Sequence, residues 1–142
     1  MVNAHDVIRA ALGWMDTPYR HQGRLKGVAV DCAGLVVKVA HELGISDYDK
    51  IDYPRDPVGA ELLVICDSLM DQVAVADAEH GMVLVMRFAR DPQHLGFLQI
   101  ENGEQFLIHA FSLPGKVVRH RIDRRWSRRI VRAYKLREVS YG

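Results

Sequence analysis

The sequence predicts an α+β domain, with N-terminal helices packed on a C-terminal antiparallel β-sheet. Three observations predict it. Apolar residues recur at helical spacing up to about residue 71, and strand-like runs follow from about residue 82. Helices first and strands later is the pattern of segregated α and β elements, not of alternating βαβ units. Asn102-Gly103 stands between two apolar runs, the strongest short-range hairpin signal.

Each element has its own signature. Val7, Ile8, Ala11, Leu12 and Met15 share one face and predict a helix over 4–15. Pro18, Gly23 and Gly27 mark 16–30 as a loop. Asp31 is a good N-cap, because its carboxylate can accept from the open N–H groups of a first turn. Leu35, Val36, Val39, Ala40 and Leu43 then follow at helical spacing, predicting a helix over 32–43 that stops at Gly44. A second loop over 44–57 ends in Tyr53-Pro54-Arg55-Asp56-Pro57. Leu62, Leu63, Cys66, Leu69 and Met70 predict a third helix over 58–71. Strands are expected near 82–89, 94–100, 105–111, 116–121 and 130–136. The chain of 142 residues carries no repeat, low-complexity tract or linker, so 1–142 reads as a single domain with room for a proper core.

Two motifs carry chemistry. Cys32 falls in the first turn of the second helix, where the partial positive charge of the terminus favours a thiolate. Unpaired N–H groups of the same turn can stabilise an oxyanion. Gly34 costs a helix about 1 kcal/mol relative to alanine and so marks a place of close approach. A hairpin centred on Asn102-Gly103 sets Ile100 opposite Gln105, Leu98 opposite Leu107, Gly96 opposite His109 and His94 opposite Phe111. His94 and His109 then share a face as diagonal neighbours, with Cβ atoms roughly 7–8 Å apart. That suits a base, His94, oriented by a third polar group, His109. Cys66 lies among leucines and reads as core. His21, His41, His80 and His120 read as exposed, and His5 as incidental.

Asp31-Cys32-Ala33-Gly34-Leu35-Val36, His94-Leu95-Gly96-Phe97-Leu98 and Ile108-His109-Ala110 together resemble the NlpC-type family of papain-like cysteine peptidases. These cut the stem peptides of bacterial peptidoglycan. Thr17-Pro18-Tyr19-Arg20-His21-Gln22-Gly23 is similar to the family's segment before the nucleophile. The resemblance implies a papain-like fold, Cys32 as nucleophile, His94 as base and His109 as orienting residue. It also implies Tyr19 as a hydroxyl near the oxyanion or substrate, Asp31 as a substrate-binding residue, and no cofactor or metal. Ala33 stands where many members carry the serine that helps bind a free amine, and Gly81-Met82 where many carry Gly-Asp. The stretch from Gly115 through Trp126 to Tyr134 resembles the phage and prophage branch, which implies tail proteins as partners beside peptidoglycan stem peptides.

Three rivals stand beside this reading. The same fold can host an acyltransferase or amidase. The chain can be a catalytically silent phage-tail assembly module. Cys32, His94 and His109 can ligate zinc, although no short-spaced ligand pair accompanies them.

Composition is that of an ordinary globular domain, with 49% hydrophobic and 26% charged residues. No apolar run approaches the ~18 residues of a membrane span. Met1-Val2-Asn3-Ala4-His5-Asp6 lacks the basic and apolar regions of a signal peptide, so the expectation is a chain that is cytoplasmic on synthesis and reaches the wall by another route, such as a phage tail. Residues 1–115 hold nine basic and sixteen acidic side chains, whereas 116–142 hold ten basic and two acidic. The arginines of this last segment are expected to bind an anionic wall or tail partner and to stand apart from bond cleavage. Nucleic acid is not expected, because no aromatic-interleaved binding motif accompanies the charge.

Overall fold

A computed structural model describes residues 1–54, 61–88 and 92–142. In chain order its elements are β1 (Val2–Asn3), α1 (Ala4–Leu12), β2 (Arg24–Leu25), β3 (Ala29–Val30), α2 (Cys32–Glu42), α3 (Glu61–Leu69), β4 (Met70–Val73), a 3-10 turn (Val75–Asp77), β5 (Val83–Arg87), β6 (Pro92–Glu101), β7 (Glu104–Phe111), β8 (Lys116–Arg121), α4 (Arg124–Arg129), β9 (Ile130–Leu136) and β10 (Val139–Ser140). The main sheet runs β4-β9-β5-β6-β7-β8, with every neighbouring pair antiparallel.

Helices cover one face of this sheet. Val7, Ile8 and Ala11 of α1, Leu35, Val36 and Val39 of α2, and Leu62, Ile65 and Cys66 of α3 meet Val83, Val85, Leu95, Phe97, Ile108 and Ala110 from the strands. Strand alternation sends Leu84, Met86, Leu98 and Leu107 to the opposite face, where Ile122 and Trp126 cover them. The α+β expectation holds, with α1, α2 and α3 preceding every strand of the main sheet, while the short β1, β2 and β3 and the late α4 depart from the expected order.

The hairpin register is as expected, with Leu98 opposite Leu107 and Ile100 opposite Gln105. Asn102 and Gly103 take φ of +52° and +79°, the left-handed pair that a two-residue turn between twisted strands requires. Helix α1 starts on a capping box in which Asn3 and Asp6 exchange hydrogen bonds of 2.9 and 3.0 Å. It ends at Leu12, short of the expected residue 15, as the chain turns out through Asp16 at φ +69°.

Other elements differ from expectation. The loop over 16–30 contains the small β2–β3 hairpin. Helix α3 ends at Leu69, and Met70–Val73 pairs with β9 as an edge strand. Met70 is buried while Asp71 and Gln72 are exposed, a pattern the helical reading also accommodated. Residues 55–60 and 89–91, which include the start of the expected third helix and the end of the expected 82–89 strand, lie outside the described residues. The link before β9 is α4, whose N-cap Asp123 accepts from the Trp126 N–H at 2.9 Å. Among the described residues no helix is long and apolar enough to cross a membrane.

Cys66 has no exposure and packs inside α3, as read from the sequence. Cys66→Ala should cost about 1 kcal/mol of stability and leave the reactivity of the remaining thiol intact. Urea unfolding checks the first expectation and thiol labelling of the folded protein the second. Loss of labelling in Cys66→Ala would show that the reactive thiol had been misassigned.

Candidate active site

The start of α2 is set by one carboxylate. Asp31 is 3% exposed, so each of its lone pairs needs a partner from the protein, and each oxygen has two. Oδ1 accepts from the Gly34 N–H at 2.8 Å and from Arg24 Nη1 at 3.0 Å. Oδ2 accepts from the Gln22 N–H at 2.7 Å and from the Tyr53 hydroxyl at 2.5 Å. Arg24 spends its remaining donors on Gly23 O, Asp49, Lys50 O and the Tyr53 oxygen. This knot ties the β2 hairpin and the loop after α2 to the residue before Cys32. It also explains Gly34: a Cβ there would lie 2.5 Å from Gly23 O and 2.6 Å from Arg24 Nη1. Asp31, expected to bind substrate, lines the cavity beside Cys32 and accepts from four protein donors, which cap the helix and hold Cys32 in place.

The histidines stand on the opposite wall. His94 Nε2 and His109 Nδ1 are 2.5 Å apart, and both residues are buried. Gly96 lies between His94 and Leu98 on their face, and a Cβ there would sit 3.1 Å from His109 Cβ and 2.6 Å from Leu107 Cδ1. Its missing side chain gives His109 room to lean across to His94. A bulge where Met86 pairs with His94 and the next pair slips distorts the strand at the same point. Around the rings, Phe111 stacks on His109 at 5.2 Å, Trp126 meets it edge-on at 5.1 Å, and Phe88 lies 5.5 Å from His94. The row goes on to a residue that the sequence reading left at the surface. His120 Nε2 lies 2.8 Å from His109 Nε2, and His120 Nδ1 lies 2.9 Å from Arg121 O. The same diagonal arithmetic applied to the next strand pair finds it, since Val118 is opposite His109 and His120 opposite Leu107.

Cys32 and His94 line one cavity of about 640 Å³, together with Tyr19, Ala33, Phe88, Phe111, His120, Arg125, Trp126 and Arg129. β6–β7 pairing runs from Phe97↔Ile108 to the turn, and beyond it Leu95 aims its N–H at the Cys32 sulfur, as Ala33 does from within the helix. The nucleophile candidate is thus one peptide unit from His94. Burial, then the Asp31 charge, push the Cys32 thiol up to about 12 against the pull of those two N–H groups. On this balance the thiol needs a partner to take its proton. Burial first, then the nearby His120 and Arg129, bring His94 down to about 3; burial, then His94 and His120, bring His109 to about 2. At neutral pH both rings are uncharged.

The basic segment divides in two. Arg119 pairs with Gln99 and Glu101, and Arg121 with Glu104. Arg125 and Arg129 instead line the cavity, where Arg129 lies 4.6 Å from the Trp126 ring centroid. Those two therefore border the cavity itself, and the others named do not. For zinc, the ring nitrogens of His94 and His109 bond each other instead of facing a shared centre. Among the described residues no group of three or more His, Cys, Asp or Glu side chains is placed to hold a metal ion.

No family model and no curated protein matches the chain. Solved structures do. The NlpC/p60 domain of the peptidoglycan hydrolase SagA is 19% identical, with a TM-score of 0.67 over 95% of this chain and 100% of that one. An NlpC/P60 family protein from Bacillus cereus ATCC 10987 is 18% identical, with a TM-score of 0.68, over 94% of this chain and 40% of that one. An N-acetylmuramoyl-L-alanine amidase from Bacteroides uniformis ATCC 8492 is 12% identical, with a TM-score of 0.67, over 95% of this chain and 99% of that one. The chain has the papain-like fold of NlpC/P60 domains.

Two expectations follow from the site's construction. Gly34→Ala should cost about 1–3 kcal/mol, because the new methyl collides with Gly23 O and displaces Arg24 from Asp31; an unchanged urea midpoint would contradict the knot. The second concerns pH. An unfolded histidine takes a proton below about pH 6.5, whereas folded His94 and His109 stay neutral down to about 3 and 2. Between those limits the unfolded chain binds more protons. Stability is thus complete above pH 6.5 and falls as the pH drops towards 3, by at most about 1.4 kcal/mol per pH unit for each ring. Urea midpoints from pH 7.5 to 5 should fall more gently for His94→Gln/His109→Gln than for the unsubstituted protein, and equal slopes would contradict the buried neutral rings.

Proposed function

We propose that the protein is a cysteine hydrolase that cleaves amide bonds in peptidoglycan stem peptides. The observation that carries this reading is Cys32, held at a helix start by the Asp31 knot and facing the Leu95 N–H beside buried, His109-paired His94. Transfer of the Cys32 proton to His94 makes a thiolate and an imidazolium together. Burial disfavours either charge alone, but the pair is net neutral and each stabilises the other. The thiolate attacks the substrate carbonyl, and the open Cys32 N–H at the start of α2, with the Tyr19 hydroxyl, receives the oxyanion. His94 then protonates the leaving amine, and water releases the acyl group. His109 holds the ring of His94. Asp31 contributes by placing Cys32, not by offering a free carboxylate.

The cavity favours an acidic substrate. Among the described residues its charged lining is Asp31, already bonded to four donors, and Arg125 and Arg129, which can each take a carboxylate. The names of the structural neighbours include a peptidoglycan hydrolase and an N-acetylmuramoyl-L-alanine amidase, so hydrolysis at the amide that joins stem peptide to glycan is the second reading. A phage-tail setting is proposed from the Gly115–Tyr134 stretch of the sequence alone.

Digestion of purified peptidoglycan, with products identified by mass spectrometry, tests the reaction and tells the two bonds apart. Cys32→Ala should lower turnover by about a thousandfold or more while the protein stays folded; activity near the original level would remove Cys32 from the chemistry. Arg125→Gln/Arg129→Gln should raise KM for an acidic stem peptide and change KM for its amidated counterpart far less. Equal effects on the two substrates would show that these arginines do not read a carboxylate.

A further inference from the structure

We infer that His120 is a positioning residue that, with the backbone carbonyl of Arg121, dictates which nitrogen of His94 is the base. This rests on the proposed role of His94. Donor and acceptor counting along three bonds of 2.9, 2.8 and 2.5 Å leads to it.

It begins where there is no choice. A carbonyl oxygen only accepts, so His120 Nδ1, 2.9 Å from Arg121 O, carries a hydrogen. A neutral imidazole has one N–H, so His120 Nε2 is bare. The 2.8 Å bond to His109 Nε2 is then donated by His109. His109 has spent its one hydrogen there, so its Nδ1 is bare and accepts from His94 Nε2–H. His94 is left with a bare Nδ1. That nitrogen is not part of the row, and it is the one free to take a proton from Cys32.

The row has structural reasons to be a unit. His94, His109 and His120 lie on three adjacent strands and step diagonally by two residues from each to the next. Phe111 and Trp126 pack on its middle ring, and Trp126 also lies 4.9 Å from His120. An orienting residue with two ring nitrogens can present either face. His109 alone would allow both directions of donation, and in one of them His94 would carry its hydrogen on Nδ1 and could not act as base. His120 removes the ambiguity.

Long-range proton–nitrogen correlation spectra of the full chain labelled with ¹⁵N-histidine, taken at pH 7.5, test the assignment without any substrate. The expected result is His94 and His109 protonated at Nε2 and His120 at Nδ1. A hydrogen on Nδ1 of His94 or His109 would overturn it even if the protein proves to be a peptidase. Two variants extend the test. His120→Gln keeps an acceptor for His109 and should retain the tautomers and most of kcat. His120→Phe keeps ring bulk without an acceptor; it should mix the tautomers of His109 and lower kcat at least about tenfold with little change in KM. Retained tautomers and kcat in folded His120→Phe would overturn the inference, as would equal losses in the Gln and Phe variants.

Discussion

The site is governed by the cost of unbalanced charge between α2 and β6. Cys32, His94 and His109 sit where burial opposes ionisation of each, and the first cause of every pKa displacement among them is desolvation. Lone thiolate and lone imidazolium are both unfavourable there. A proton passed from one to the other creates two charges whose sum is zero. The arrangement therefore couples activation of the nucleophile to a specific partner, and the thiol stays unreactive until that partner takes its proton. The rings of Phe88, Phe111 and Trp126 pack against His94 and His109, so α4, which brings Trp126, belongs to the site as much as the strands do.

A second requirement is that Cys32 stay fixed. That task falls to Asp31 and its four donors. The donors come from distant parts of the chain, since Gln22 and Arg24 lie in and before the β2 hairpin and Tyr53 in the loop beyond α2. Removing one of them leaves a buried carboxylate short of a partner, which costs more than the bond itself was worth. The same knot keeps the negative charge of Asp31 close to Cys32, where it opposes thiolate formation. The fold accepts that opposition for the sake of position and leaves the release of the proton to His94.

Much of this was legible in the sequence because it follows from short-range rules. Asp31 as N-cap, the Asn102-Gly103 turn and the shared face of His94 and His109 each depend on a few neighbouring residues, and each is found as expected. Gly34 was legible as a place of close approach, but what approaches, Arg24, was not, because a contact between hairpin and helix leaves no local pattern. The edge strand Met70–Val73 was hidden by a buried position that fits helix and strand alike. His120 was missed for another reason. Its place follows from the same period-two arithmetic as His94 and His109, carried one strand further, yet a histidine among arginines looks like surface until the strand order is known. The charge of α4 was legible and its location was not: the segment that supplies Arg125 and Arg129 also supplies the aromatic wall.

The central claim is that Cys32 is activated by proton transfer to His94. The most direct measurement is the rate of Cys32 alkylation by iodoacetamide as a function of pH, in the Cys66→Ala background, with and without His94→Gln. The account predicts that the protein with His94 intact reacts at a lower pH than His94→Gln, in which the onset of reactivity shifts further to the alkaline side. Superimposable profiles for the two proteins would contradict it.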